Sequence, residues 1–230
     1  MATAENHLLE LISRADRKRL LGSCEHVPLT LEQVVCQAGQ PTRHVYFPTE
    51  GFISLITGID GRPSLEVGMV GREGMLGAEL ALGVQTSPMH ALVQGPGAAW
   101  RMTARDFTRE LARSPGLRRV MHRYVHVILV QAAGSAGCVR FHQIGPRLAR
   151  WLLMTQDRAQ SPRFRVTHEF LAYMLGVRRV GITAAAGELQ RSGLIEYRRG
   201  EVSVLDRLGL EAAACGCYAE SRLAYDAAMT

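Results

Sequence analysis

Two pairs of adjacent arginines, Arg178-Arg179 and Arg198-Arg199, have side chains whose chemistry is the easiest in this sequence to interpret. Each guanidinium keeps its positive charge and offers five N–H donors in a planar fork, which matches phosphate oxygens and the paired acceptors on a guanine edge. Hydroxyl, imidazole and small side chains lie near the first pair in the sequence. The candidate contact residues for nucleic acid are therefore Thr167, His168, Arg178, Arg179, Gly181, Thr183, Ala184, Arg198 and Arg199.

Two short helices joined by a glycine are predicted around the first arginine pair. Thr167 stands at an N-cap position, and Gly176 ends the first helix. The second helix is predicted from about residue 178 to residue 191, because its apolar residues recur at intervals that place them on one face. The inward-facing residues of this second helix are Ile182, Ala185, Ala186 and Leu189.

A basic hairpin is predicted directly after the second helix. Residues 194–197 and 201–204 alternate in polarity like two short strands, and Arg198-Arg199-Gly200 lies between them. Two helices at a glycine turn followed by a hairpin form a winged helix-turn-helix. In that arrangement the first arginine pair would face base edges in the major groove, where the small Gly181 and Ala184 allow close approach. The second pair would contact phosphates.

This segment resembles the DNA-binding half of the CRP/FNR transcription regulators. The resemblance rests on Leu175-Gly176-Val177-Arg178-Arg179, on the apolar face of the second helix and on Ser192-Gly193-Leu194-Ile195. It implies that Arg179 takes the position of the arginine that reads guanine in this family. Val180 and Ala184 stand where many members carry Glu and Arg, so the resemblance implies a different operator sequence.

The positive charge of the chain is concentrated in the same region. The net charge is +6, and residues 140–207 hold 12 arginines against 6 acidic residues, so the remaining chain is neutral. A local surplus of arginine is what a polyanion requires. We therefore expect double-stranded DNA as the main partner.

Composition indicates a globular chain. Hydrophobic residues make up 47% of the 230 residues, no uninterrupted apolar run is as long as a membrane span, and the N-terminus lacks a signal pattern. The five cysteines are scattered and fit reduced thiols. We therefore expect a cytoplasmic protein without a membrane partner.

The first half of the chain predicts many short strands separated by glycine and proline, from about residue 25 to residue 102. This pattern is typical of a small antiparallel roll. The predicted fold class is α+β, with a cyclic-nucleotide-binding-like β-roll (a double-stranded β-helix), a long dimerisation helix and a C-terminal winged helix-turn-helix. The corresponding predicted domains are residues 1–113, 114–139 and 140–230.

A long helix is predicted to begin at Ser114-Pro115, since proline is favourable at the first helical position. Apolar residues on several sides indicate that it packs both on its own roll and on a second copy of the chain, although burial within a monomer is an alternative. Residues 137–142 are predicted to form the hinge to the second half. The predicted dimer-interface residues are Leu117, Met121, Tyr124, Ile128, Gln131 and Ser135.

The roll is expected to hold an effector near Gly77, Glu79 and Ser87. The resemblance implies that cyclic-nucleotide members carry an arginine for the phosphate, but Ser87-Pro88 stands at that position here. A buried phosphate without a cationic donor would be poorly compensated. We therefore do not expect cyclic AMP or cyclic GMP, and the sequence does not identify another small molecule.

No cofactor, metal site or catalytic residue is expected. Cys24, Cys36 and Cys138 lack the clustered spacing that an iron–sulfur site needs, and the histidines show no metal-ligand motif. Cys215-Gly216-Cys217 is interpreted as a thiol pair without a ligand.

These observations predict a homodimeric transcription regulator that binds a two-fold operator, with RNA polymerase as a further partner. One alternative is a cupin-like metalloenzyme with an accessory helical domain, which would need a histidine and carboxylate cluster built from His26, His44 or His90. Another alternative is an effector-free DNA-binding adaptor whose roll contacts a partner protein.

Overall fold

Two long strands organise the first half of the chain. The computed structural model describes residues 5–58 and 65–230. In it β3 (His44–Thr57) and β5 (His90–Thr103) pair antiparallel along their whole length. β1 (Glu25–Leu29) and β2 (Val34–Cys36) pair with β5, and β4 (Leu65–Val70) pairs with β3. The predicted antiparallel roll is therefore confirmed.

Both long strands bend where the sequence analysis placed breaks between shorter strands. Gly51 has φ +70°, and a Cβ atom there would lie 2.2 Å from the carbonyl oxygen of Gly95. A Cβ atom at Gly97 would lie 2.3 Å from the carbonyl oxygen of Glu50. Glycine is thus required at this corner, where it bends the sheet without ending the pairing. The strand pattern of the sequence begins this strand at Ser64, a residue that lies outside the described ones.

Short helices close the roll. α1 (His7–Glu10) and α2 (Arg14–Leu21) precede the strands, a 3-10 turn spans Ala78–Leu82, and α3 (Ala104–Arg113) follows β5. Thr103 caps α3, since its hydroxyl oxygen accepts a hydrogen bond from the backbone N–H of Asp106 at 3.1 Å. Buried residues from these elements and from the next helix form one apolar core: Leu8, Leu9, Phe47, Met75, Met102, Phe107, Leu117 and Met121.

The long helix α4 spans Pro115–Phe141. Ser114 caps it by accepting a hydrogen bond from the backbone N–H of Leu117 at 3.0 Å. Leu117, Met121 and Tyr124 are at most 5% exposed because they pack on the roll of the same chain, so they cannot form the partner-facing seam that their spacing predicted.

Ile128, Gln131 and Ser135 are half-buried and continue the same inward-facing side of α4. Ser135 accepts a hydrogen bond from Arg150 at 3.3 Å, which binds it to the next helix of its own chain. The spacing of Leu117, Met121 and Tyr124 therefore describes the contact of α4 with the roll of its own chain, whereas Ile128, Gln131 and Ser135 stay partly exposed.

The opposite side of α4 is exposed and apolar over its C-terminal half. Leu129 is 68% exposed, Phe141 is 77% exposed, and neither is covered by the protomer. A Cβ atom added at Gly134 or Gly137 would meet no atom within 4 Å. We refer to this side of the helix as the free face of α4, and its residues are Leu129, Val130, Ala132, Ala133, Gly134, Ala136, Gly137, Val139 and Phe141.

The predicted hinge is shorter than expected. α4 continues without interruption to Phe141, His142 is its C-cap, and the next helix begins at Ile144. Gly137 therefore lies inside the helix. The elements that follow are α5 (Ile144–Ala159), β6 (Arg163–Arg165), α6 (His168–Leu175), α7 (Arg179–Arg191), β7 (Ile195–Arg198), β8 (Glu201–Val204), α8 (Arg207–Ala213) and α9 (Cys217–Met229).

The C-terminal tail consists of two helices, α8 and α9. α8 packs on α5, and α9 packs mainly on α4. Met229 is 2% exposed within the core of the roll, and the Tyr225 hydroxyl donates a hydrogen bond to the carbonyl oxygen of Glu73 at 2.7 Å. The end of the tail, α9, therefore packs on the first half of the chain.

The carboxyl group of Glu66, a half-buried residue of β4, joins the two halves. Trp151 of α5 donates its indole N–H to Glu66 Oε1 of β4 at 2.8 Å, and the Ser54 hydroxyl donates to Glu66 Oε2 at 2.5 Å. Burial raises the pKa of Glu66 to about 7, and this rise is opposed by these two donors and by the charges of Arg158 and Arg150. The contact between roll and α5 is therefore sensitive to pH near neutrality.

We expect Glu66→Gln to remove a pH-dependent loss of stability. In the unfolded chain Glu66 loses its proton near its ordinary pKa of 4.5, but in the folded chain it keeps the proton up to about pH 7. The wild-type protein should therefore lose up to about 3 kcal/mol of unfolding free energy as the pH rises through this window, while the amide variant should not. Urea unfolding at pH 5 and pH 8 measures the difference.

The exposed Glu196→Gln variant is the matched control for the Glu66 experiment, since it removes a carboxyl group that lies on the surface. It should keep the pH dependence of the wild-type protein. Identical pH slopes in wild type and Glu66→Gln would show that the buried carboxyl group does not cause the effect.

Candidate nucleic-acid interface

The N-terminal end of α7 is exposed. Arg178 is its N-cap, Arg179 is its first residue, and both side chains lie at the surface. Thr183 and Ala184 are exposed one turn later on the same side. The predicted inward residues are buried in the core of this half, with Ile182 at 0% exposure. α7 thus presents a surface that begins with two guanidinium groups and continues with small side chains.

The turn between α6 and α7 fixes the direction of α7. Thr167 caps α6, since its hydroxyl oxygen accepts a hydrogen bond from the backbone N–H of Phe170 at 3.1 Å. Gly176 ends α6 with φ +63°, a conformation that glycine adopts without a steric penalty. Thr167 therefore has a capping role, in addition to the DNA contact that the sequence predicted for it.

His168 connects α6, α7 and the wing. Its ring lies 4.4 Å from the Tyr197 ring, and its Nδ1 lies 3.1 Å from the Thr183 hydroxyl oxygen. The Thr183 hydroxyl donates to the carbonyl oxygen of Arg179 at 3.1 Å, so its oxygen accepts from the Nδ1–H of His168. Burial, and next the Arg179 charge, lower the pKa of His168, which favours a neutral ring in this positioning role.

Gly181 is half-buried, at the edge of the exposed surface of α7. A Cβ atom at this position would lie 2.7 Å from Cδ1 of Ile144 in α5. Gly181 therefore allows α7 to pack closely on α5, whereas the sequence analysis assigned it to close approach of base edges. The sequence analysis placed Gly181 among the base-facing residues of α7, and only the structure shows its contact with Ile144.

The wing is a tight two-residue hairpin. Arg199 has φ +53° and Gly200 has φ +79°, and Arg198 pairs with Glu201 on either side of them. Two consecutive positive φ values define a type I′ turn, which suits the twist of two antiparallel strands. Arg198 and Arg199 are both exposed at this tip. The strand β6, which was not predicted, pairs with β8 and adds the exposed Arg163 and Arg165 to the same sheet.

The three residues predicted near an effector site lie in different surroundings. Gly77 has φ +93° and precedes the 3-10 turn, and Glu79 accepts a hydrogen bond from the Thr42 hydroxyl at 2.5 Å. Glu79 lines an open cleft of about 330 Å³ that also contains the exposed Arg43. Ser87 is buried, and its hydroxyl donates to the carbonyl oxygen of Met89 at 3.0 Å, so it is already hydrogen-bonded within its own turn.

Four potential metal ligands come together at the end of α4, where the sequence predicted none. The ligand atoms of Cys138, His142, Cys215 and Cys217 all lie within 4.8 Å of one another. Cys138 Sγ lies 3.6 Å from Cys215 Sγ, and Cys217 Sγ lies 3.5 Å from His142 Nδ1. Burial and the neighbouring thiol of Cys138 raise the pKa of Cys215 to about 12.

The histidines of the roll do not form such a group. Within residues 5–58 and 65–230, the cluster at the end of α4 is the one set of three or more His, Cys, Asp and Glu side chains with ligand geometry. His26 instead packs on Trp100 with ring centroids 4.8 Å apart, and His90 Nδ1 accepts a hydrogen bond from the backbone N–H of Ala38. The cupin-like alternative therefore lacks its metal site.

Comparison with known proteins gives the same two-part architecture. Residues 27–114 match the family model of the cyclic nucleotide-binding domain, and residues 146–213 match that of the Crp-like helix-turn-helix domain. The global nitrogen regulator of Synechococcus elongatus is 23% identical over 224 residues, which cover 91% of this chain and 98% of the relative.

Solved structures share the fold at low sequence identity. FixK2 from Bradyrhizobium japonicum superposes with a TM-score of 0.71 at 12% identity, over 84% of this chain and 98% of that one. A transcriptional regulator of the CRP/FNR family from Thermus thermophilus gives a TM-score of 0.66 at 21% identity, over 83% and 98%. The chain therefore has the two-part domain composition of a CRP/FNR-type transcription regulator, a cyclic nucleotide-binding domain followed by a Crp-like helix-turn-helix domain.

Proposed function

We propose that the protein acts as a homodimer whose two α7 helices read two half-sites of a two-fold operator. The observation that carries this proposal is the exposed N-terminal end of α7, where Arg178 and Arg179 project beside a wing that carries two further arginines. A recognition helix enters the major groove with its N-terminal residues toward the base edges. A two-fold protein doubles this contact on a two-fold site.

We assign the dimer contact to the free face of α4. By length and composition alone this helix could cross a membrane, and only 17% of its most apolar 18-residue window is buried in the protomer. Gly134 and Gly137 make the helix less stable than alanine would at the same positions. A Cβ atom at either position would meet no atom of the protomer within 4 Å. A second α4 packed along this face would bury Leu129 and Val130 and would use the space beside the glycines. Because a dimer contact covers the apolar face without a membrane, we propose that the protein is a cytoplasmic dimer.

We assign distinct roles to the predicted contact residues. Arg179 would donate two hydrogen bonds to the O6 and N7 atoms of a guanine, and Ala184 would meet the edge of a nearby base. Arg178, Arg198 and Arg199 would bind phosphates. The other predicted residues support these contacts from within the protein: Thr167 by capping α6, His168 and Thr183 by their mutual hydrogen bond, and Gly181 by packing on α5.

We further propose that the roll responds to a small molecule other than a cyclic nucleotide. Ser87, which stands where cyclic-nucleotide members carry the phosphate-binding arginine, is buried and hydrogen-bonded within its own turn. The response would pass to the DNA-binding half through contacts such as Glu66 with Trp151 and the ion pair of Glu73 with Arg158 at 2.7 Å. RNA polymerase would be the protein partner at the promoter.

Selection of bound duplexes from a random DNA library tests the proposed function. We expect the selected sequences to contain a two-fold motif with half-sites about one helical turn apart. Parallel selections with and without a small-molecule extract of the cells would show whether an effector strengthens binding, and an equal result would favour the effector-free adaptor. Recovery of unrelated sequences, or of single half-sites from a monomeric protein, would contradict the proposal.

The wing arginines should contribute affinity without sequence preference. Arg199→Asn removes a charge and keeps a residue that tolerates the positive φ of the turn. Binding to the selected operator and to a scrambled duplex should weaken by the same factor. The slope of log affinity against log salt should fall by about two for a dimer, one phosphate contact per chain. Titrations at several salt concentrations measure this slope.

Glu220→Gln is the control for a change of charge outside the wing. It alters an exposed side chain of α9 and should leave the salt slope of DNA binding unchanged. If Arg199→Asn weakened binding to the operator but not to the scrambled duplex, the wing would read bases and its assignment to phosphates would fail.

A further inference from the structure

We propose that Cys138, His142, Cys215 and Cys217 bind a single zinc ion, which fastens the end of α4 to the segment between α8 and α9. The four residues come from the last turn of α4 (Cys138), its C-cap (His142), the loop before α9 (Cys215) and the first residue of α9 (Cys217). Three cysteines and one histidine are a common ligand set of structural zinc sites.

Two of the distances between ligand atoms match a single ion, and all four ligand atoms lie within 4.8 Å of one another. In a tetrahedral zinc site the bonds are about 2.3 Å to sulfur and about 2.0 Å to nitrogen, so neighbouring ligand atoms lie about 3.5–3.8 Å apart. Here Sγ of Cys138 and Sγ of Cys215 are 3.6 Å apart, and Sγ of Cys217 and Nδ1 of His142 are 3.5 Å apart. An iron–sulfur cluster spreads its ligands over several iron atoms and normally takes four thiolates, so it fits this set less well.

The surroundings compensate the charge of such a site. Three thiolates and a neutral histidine around Zn²⁺ carry one net negative charge, and Arg150 donates from Nη1 toward Cys138 Sγ at 3.8 Å. Arg150 is held in place by its bond to Ser135, and its Nε is buried without a hydrogen-bond partner in the described part of the chain. A cation beside the sulfur ligands is the outer-shell support that metal sites commonly have.

The position of the site gives the ion a structural consequence. Cys138 and His142 stand where the helix of the first half meets the second half, and the backbone N–H of Cys215 donates to the carbonyl oxygen of Pro146 in α5. The ion would therefore limit motion between α4, α5 and the loop before α9. Loss of the ion would loosen the link through which any signal from the roll reaches α7.

Metal analysis of the purified full-length protein tests the proposal directly. We expect about one zinc per chain after gel filtration in reducing buffer. In the double variant Cys215→Ser/Cys217→Ser the zinc content per chain should fall at least tenfold. Cys24→Ser and Cys36→Ser change thiols outside the cluster, so these variants should keep the zinc. Because metal content is measured without DNA, this result is independent of the proposed operator binding.

Cobalt substitution keeps the test decisive if the double variant does not fold. Wild-type protein titrated with Co²⁺ should develop strong visible absorption and a thiolate charge-transfer band, typical of tetrahedral cobalt with sulfur ligands, and Zn²⁺ should abolish both. Absence of zinc together with failure to develop these bands would overturn the proposal. A disulfide between Cys138 and Cys215, or the absorption of an iron–sulfur cluster, would also overturn it.

Discussion

Leu129→Arg should convert the dimer into monomers and remove binding to the selected operator. Leu129 is 68% exposed in the protomer and is the first residue of the free face of α4. Burying this side chain in a dimer would contribute about 1.5–3 kcal/mol from each chain. Because two-fold symmetry introduces the substitution twice, the dimer should weaken by about 4 kcal/mol or more, roughly a thousandfold in dissociation constant. Analytical ultracentrifugation over a concentration series measures this change.

The expected loss of DNA binding follows from the loss of the second half-site. A monomer can place a single α7 in the groove, so its affinity for the operator should approach its affinity for unrelated duplex. The fold of each protomer should be unaffected, because its own chain leaves the Leu129 side chain exposed. Leu82→Arg, which replaces an exposed leucine on the 3-10 turn at 60% exposure, is the matched control and should remain dimeric. A dimer of unchanged strength in Leu129→Arg would place the interface elsewhere.

The features that could be predicted from sequence are those determined by short-range patterns. Thr167, Gly176 and the apolar spacing of α7 each act within one or two helical turns, so the helix-turn-helix could be located within one or two residues of its observed bounds. The wing turn at Arg199-Gly200 is equally local. In contrast, the corner at Gly51 was interpreted as a break because only the facing strand shows that pairing continues through it.

The features that were missed depend on which side of a helix meets which neighbour. The spacing of Leu117, Met121 and Tyr124 correctly indicates an apolar stripe on α4, but it does not show that the roll of the same chain covers this stripe. The contact of Gly181 with Ile144 of α5 likewise shows only in the structure. The proposed zinc ligands could not be grouped from the sequence, because they are far apart along the chain. Cys138 and Cys215 come together only where α9 packs on α4. The local signals were the i, i+4 spacing of Cys138 and His142 and the pair Cys215-Gly216-Cys217, which the sequence analysis interpreted as thiols without a ligand.

Arg179→Ala should lower the affinity for the selected operator much more than the affinity for a scrambled duplex. Arg179 begins α7 and is fully available at the surface, where it can donate two hydrogen bonds to one guanine. Each bidentate contact contributes about 1–3 kcal/mol to discrimination between bases, and the dimer contains two such contacts. We therefore expect roughly a hundredfold loss or more on the operator and a loss of only a few-fold on the scrambled duplex. Selection repeated with the variant should show relaxed base choice at one position in each half-site.

Two further variants separate hydrogen-bond geometry from charge. Arg179→Lys keeps the charge but cannot form the two parallel hydrogen bonds, so it should lose base preference nearly as fully as Arg179→Ala while retaining more affinity for scrambled duplex. Arg191→Ala removes the same charge from the exposed C-terminal end of α7, away from the groove, and should preserve base preference. Equal losses on the operator and on the scrambled duplex for Arg179→Ala would assign this arginine to phosphate, and base recognition would then have to come from residues further along α7 such as Ala184.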